Sequence, residues 1–156
     1  MSTTRVVPYP QYNYIVDLKG TRNPHKPLGG FSEVSGVKTE LHISEYRDGN
    51  DAASYVHKYS GMHTTADFTL KRGVVDSSDL WAWITDARTN GASAQRDVTI
   101  TLRDESNHDV QVFKLYNVTP KGYTAPALMG KGTGDVAIEE LVLAPETIEI
   151  TKPNAG

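Results

Sequence analysis

The sequence predicts a mainly β protein: an antiparallel β-barrel or sandwich with one flanking α-helix and a long β-hairpin arm. Three observations predict it. Val37, Thr39, Leu41 and Ile43 alternate with Lys38, Glu40, His42 and Ser44, and Met62, Thr64, Ala66, Phe68 and Leu70 alternate with His63, Thr65, Asp67, Thr69 and Lys71. Such alternation gives a strand one dry and one wet face. One stretch alone, around residues 77–89, has apolar residues at helical spacing. Glycine and proline cluster between the strand-like runs, where turns belong.

Residues 1–10 read as an N-terminal arm, because Pro8 and Pro10 oppose regular pairing. Residues 12–18 form the first strand, with Tyr12, Tyr14, Val16 and Leu18 on one face. Residues 19–30 are a loop, and Gly29-Gly30 turns the chain into a second strand over 31–44. Gly36 interrupts that strand, which suggests a bulge or a close backbone approach. Alternation then fails over 45–61, a stretch that holds Tyr46, Tyr55, Val56 and Tyr59 and is too apolar for a solvated linker. It is either a twisted extension of the hairpin or a projecting arm that buries its tyrosines on a neighbouring chain.

A third strand runs from Met62 to Arg72 and closes at Gly73. The helix follows: Leu80, Trp83, Ile84 and Ala87 make one apolar stripe, Asp76 or Ser77 caps its start, and Asn90-Gly91 stops it. Trp81 lies beside the stripe and either covers the sheet edge or meets another chain. Strands over 95–103 and 109–118 are joined by the turn at 104–108. Residues 119–134 read as loop, 135–144 as the last clear strand, and 147–151 as a short edge strand within the C-terminal tail at 145–156. The expected organisation is a single domain over residues 1–156.

Composition narrows the function classes. The chain has no cysteine, so disulfides and thiolate metal sites are excluded. Sixteen basic and nineteen acidic residues give a net charge of -3, with no basic run to suggest nucleic-acid binding. No apolar run approaches the ~20 residues that span a bilayer, and the N-terminus lacks the apolar core of a secretory signal. The five histidines, His25, His42, His57, His63 and His108, show no metal-ligand spacing. Gly130-Lys131-Gly132-Thr133-Gly134 lacks the phosphate-loop pattern and opens no helix. Glu139 and Glu140 point to opposite faces of a strand and cannot act as one acid–base pair. No catalytic residue, metal ligand or cofactor site is expected, and the protein is read as a non-enzyme. The competing readings are a β-barrel binding module and an enzyme using His42 or His63.

Six segments in order carry a resemblance. They are Phe31–Val37 (FSEVSGV), Glu45–Asn50 (EYRDGN), Phe68–Val74 (FTLKRGV), Leu80–Trp83 (LWAW), Val98–Asp104 (VTITLRD) and Val136–Leu141 (VAIEEL). Together the chain resembles the tail tube (inner tube) proteins of contractile phage tails and contractile injection systems, an Hcp-like family, from about Tyr12 to Ala144. It departs at Tyr116–Pro120, where a commonly present Trp is missing, and in a Tyr- and His-rich stretch at 54–61.

The resemblance implies an Hcp-like tail tube fold and homohexameric rings stacked into a hollow tube. It implies a surrounding contractile sheath, baseplate or spike and tube-terminator partners, and protein cargo in the lumen. It further implies assembly in the cytoplasm and a place in a phage tail or phage-tail-like particle, one that can be released from the cell. The alternative is a monomeric or ring-forming module, an effector carrier of the type VI Hcp kind. The polar rows of the two long strands become candidates to line the bore: Lys38, Glu40, His42, Ser44, His63, Thr65, Asp67, Thr69 and Lys71. Candidates for contacts between subunits are Tyr46, Arg47, Asp48, Tyr55, Tyr59 and Trp81.

Overall fold

A computed structural model describes residues 6–18, 31–74, 78–132 and 134–153. Nine strands, one α-helix and a short 3-10 turn follow along these residues: β1 (Tyr14–Leu18), β2 (Glu33–Ser35), β3 (Thr39–Tyr46), β4 (His57–Thr65), β5 (Phe68–Gly73), α1 (Ser78–Asn90), the 3-10 turn (Gly91–Ala94), β6 (Arg96–Arg103), β7 (Asp109–Thr124), β8 (Ile138–Ala144) and β9 (Thr147–Thr151). All pairings are antiparallel.

Seven strands form the body, in the order β1-β6-β7-β8-β5-β2, with β9 also paired to β7. The organiser is β7, sixteen residues long. Its first half lies between β6 and β9, and its second half pairs with β8. The change of partner falls beside Asn117, whose φ is 52°. Its N–H donates to Asp97 Oδ1 (3.2 Å) and its side-chain amide to Glu146 Oε2 (2.9 Å), which holds the bend. β7 therefore continues through residues expected to be loop. Pro120 and Gly122 flank a register shift, and a bulge tolerates a residue without an N–H.

Both halves of the sheet feed one core. Val16, Leu18, Val98, Ile100 and Leu115 come from one half, and Phe68, Leu70, Leu141 and Leu143 from the other. The register sets Phe68 opposite Leu143 and Leu70 opposite Leu141, so alternate side chains meet on the inner face. Helix α1 closes the core with Leu80, Trp83 and Ile84, and Trp83 Nε1 donates to the Ala94 carbonyl at 2.9 Å. Gly91, at φ 56°, stops the helix where expected. The capping candidates Asp76 and Ser77 lie outside the described residues, as do residues 19–30 and the ends of both terminal segments.

Three expectations are corrected. Among the described residues the body is not a closed barrel, since β1 and β2 end the strand path and do not pair with each other. The expected strand over 62–72 is two strands that break at Ala66 and Asp67, and its first part begins at His57. Alternation runs unbroken through that corner, because two strands that change partners keep the same period. Gly36 marks the crossing: its φ is +86°, and a Cβ there would stand 3.0 Å from the Asp67 carbonyl oxygen. Finally, the apolar row Thr39, Leu41 and Ile43 is not core. β3 and β4 form a separate two-stranded sheet, and every residue of β3 is exposed. Alternation predicts two unlike faces; it does not say which chain covers the apolar one.

A candidate assembly surface

The β3–β4 hairpin leaves the body after Gly36 and returns at Phe68. Residues directly opposite in antiparallel strands share a face. Thr39 stands opposite Thr65 and Leu41 opposite His63. Beyond a shift in register, Ile43 meets Ser60, Ser44 meets Tyr59 and Tyr46 meets His57. One face thus carries Leu41 and Ile43 with His63 and Thr65. The other carries Glu40, Ser44 and Tyr46 with Tyr59 and His57. The register shift inserts an extra residue of β4 opposite His42, and a Cβ on Gly61 would stand 3.1 Å from the His42 carbonyl oxygen.

The expected single polar face within one chain is therefore corrected. Lys38, Glu40, His42 and Ser44 project from one side of the hairpin, and Lys38 pairs with Glu40 there. His63 and Thr65 project from the other side, so His42 and His63 do not converge. Thr69 and Lys71 sit on the body, on the outer face of β5, opposite the buried Phe68, Leu70 and Arg72. Lys71 Nζ lies 3.5 Å from Glu33 on β2 and from Glu140 on β8. Those carboxylates, Glu33 foremost, hold its pKa above the ordinary lysine value. Asp67 lies in the corner between β4 and β5 and pairs with Lys121 of β7.

The connecting segment 47–56 is built, not slack. Arg47 folds back and donates from Nε and Nη2 to the Ala53 carbonyl (3.2 and 3.0 Å). Asp48 Oδ1 accepts from the Asn50 N–H and Asp51 Oδ1 from the Ala53 N–H. His57 Nε2 stands 2.7 Å from Asp51 Oδ2, and the Tyr55 ring meets the His57 ring edge-on at 5.6 Å. The tip is thus pinned while its tyrosines stay outside: Tyr46, Tyr55 and Tyr59 are 58%, 65% and 56% exposed. Leu41, Ile43, Val56 and Met62 are uncovered as well. Large apolar residues grouped on both faces of one hairpin make it a candidate interaction surface.

Trp81, the remaining contact candidate, lies on α1, far along the chain from this group. Its ring meets Tyr123 at 6.1 Å, and the Arg88 guanidinium stacks over it at 5.2 Å. Sequence reasoning missed a buried network behind it. Arg72 Nε and the Tyr123 hydroxyl both donate to Glu139, each at 2.6 Å, with Arg72 and Glu139 almost wholly buried. The available signal was position: Arg72 continues the inward row of Phe68 and Leu70, and Glu139 that of Leu141 and Leu143. No group of three metal-ligating side chains occurs among the described residues.

The hairpin thus keeps apolar and polar side chains exposed on both of its faces. A family model described as T4-like virus tail tube protein gp19 matches residues 10–149. No curated protein matches the chain. Among solved structures, the chain is similar to the tube terminating cap of the anti-feeding prophage, with TM-score 0.81, 22% identity and coverage of 98% of this chain and 97% of that one. It is similar to a chain of the sheath–tube complex of an extracellular contractile injection system, PVC, in its extended state, with TM-score 0.77, 25% identity and coverage of 94% and 93%. The likeness to Hcp1 from Flavobacterium johnsoniae is looser: TM-score 0.52, 11% identity and coverage of 90% and 95%.

Proposed function

The chain belongs to the T4-like virus tail tube protein gp19 family and is a structural tube subunit, not an enzyme; from this premise we propose that it builds the hollow inner tube of a contractile injection particle. Homohexameric rings stack inside a contractile sheath, and protein cargo travels in the bore. The observation that carries this reading is the β3–β4 hairpin, whose two faces and apolar side chains are left uncovered by the chain's own body. A two-stranded ribbon is marginally stable alone, and closing ribbons of several copies into a ring removes its free edges.

Because the hairpin's faces differ, they take different roles. The Leu41 and Ile43 face, which also carries His63 and Thr65, packs on a neighbouring copy. Lys38, Glu40, His42 and Ser44 line the bore, together with Asp67, Thr69 and Lys71. Tyr46, Arg47, Asp48, Tyr55 and Tyr59 form the arm that meets another subunit. Similar chains come from a sheath–tube complex, a tube terminating cap and a baseplate, which supports a sheath, a terminator and a baseplate as partners of this tube. The injection-particle reading is favoured over an effector carrier of the type VI kind by the much closer fold match to the former. Among the described residues no helix is long and apolar enough to cross a membrane.

Negative-stain imaging with sedimentation of the purified protein tests the proposal. Rings or rods of constant width are expected. A single-chain particle at every concentration and salt would overturn it.

A further inference from the structure

On α1, the neighbours Leu80, Trp83 and Ile84 are buried, yet Trp81 remains 49% exposed. It is held firmly nonetheless, between the Arg88 guanidinium above its ring and Tyr123 at its edge. It forms one wall of a groove of about 380 Å3 between α1 and the second half of β7. Ile84, Arg88, Pro120, Lys121 and Tyr123 supply the rest of the lining that matters. Two cations and no carboxylate line this groove, in a chain whose net charge is -3. Lys121 is neutralised by Asp67, whereas Arg88 makes no ion pair among the described residues.

The hairpin tip has the opposite character. Asp48 and Asp51 outnumber Arg47, and Asp51 already faces His57. Arg47 is turned inward onto the Ala53 carbonyl. That leaves Asp48 as the exposed carboxylate of the tip, in the same connecting segment as the exposed ring of Tyr55. A rigid, half-exposed aromatic beside a cation is the composition of an interface anchor.

We infer that the hairpin tip of one copy docks in the α1–β7 groove of an adjacent copy, with Tyr55 against Trp81 and the Asp48 carboxylate against Arg88. The inference rests on the tube-subunit reading and names the site on the second copy that the arm meets. The two patches are different surfaces, so the contact is heterologous and propagates from copy to copy. Nucleic acid does not suit the groove, because Lys121 is already paired with Asp67 and only one other cation, Arg88, lines it.

Charge exchange and cross-linking test it. Asp48→Arg and Arg88→Glu should each lower the yield of sedimentable tubes by about tenfold or more, with unchanged circular dichroism, and the double variant D48R/R88E should recover most of it. The chain has no cysteine, so a mixture of Asp48→Cys and Arg88→Cys proteins should give a disulfide-linked dimer under assembly conditions that neither variant gives alone. Single variants that assemble like wild type, or a double variant no better than the singles, overturn the contact. So do Arg88→Glu tubes that form normally but fail to recruit sheath protein, which assign the groove to the sheath. Wild-type tubes without the cross-link sink this contact alone; wild-type protein that never assembles sinks the tube reading and the contact with it.

Discussion

Arg72 and Glu139 face each other directly across β5 and β8, on the inner side of the sheet. Charges so deeply buried persist only when paired, and here Tyr123 adds a second donor to Glu139. Glu139→Ala would remove the Glu139 carboxylate from the buried guanidinium. We expect a loss of about 3–5 kcal/mol, measured by urea unfolding, and substantial recovery on adding Arg72→Met. The turn residue Asp104 gives a pH dependence. Its carboxylate accepts the backbone N–H of His108 and that of Ser106, and the His108 bond foremost holds its pKa below the usual aspartate value. A folded pKa below the unfolded one contributes stability that is present above the unfolded value and lost as pH falls through the folded one. Stability should therefore decline below about pH 4, and Asp104→Asn should flatten that decline in an acid titration followed by circular dichroism.

At the scale of elements, the β3–β4 hairpin behaves unlike the strands of the body. β5, and β8 from Glu139 onward, show strict alternation of buried and half-buried residues, whereas β3 is exposed at all eight positions. Sequence alone would place Leu41 in a core, so that a charge there would unfold the domain. In the structure Leu41 is 40% exposed. Leu41→Asp should therefore leave the chain folded, with its thermal midpoint shifted by only a few degrees, and should abolish tube formation. Thermal unfolding and electron microscopy of the same preparation separate the two effects; an unfolded variant would place Leu41 in the folding core after all. Helix α1 offers the contrast. Its stripe of Leu80, Trp83 and Ile84 was legible because helical spacing fixes which side chains share a face, and the body is there to cover them.

For the whole molecule, the uncovered hairpin ties stability to association. A partner that binds only the folded chain raises its apparent stability by mass action. The thermal midpoint should rise with protein concentration across the assembly threshold, and the Leu41→Asp protein should lose that dependence. A midpoint independent of concentration in wild-type tubes would mean that the hairpin contributes nothing to cohesion. The sequence by itself determined the β class, the antiparallel sense of the pairing, the one helix with its stop at Asn90-Gly91, and the tube-protein resemblance carried by six short segments. All of these depend on local period, turn chemistry or residue order, which a linear chain records. Only the tertiary structure decided that the long third strand is two strands, that β7 runs on past Asn117, that His42 and His63 point apart, and that Arg72 finds Glu139. Each of these depends on which strand lies beside which and in what register, and a two-residue period is the same for every choice of neighbour.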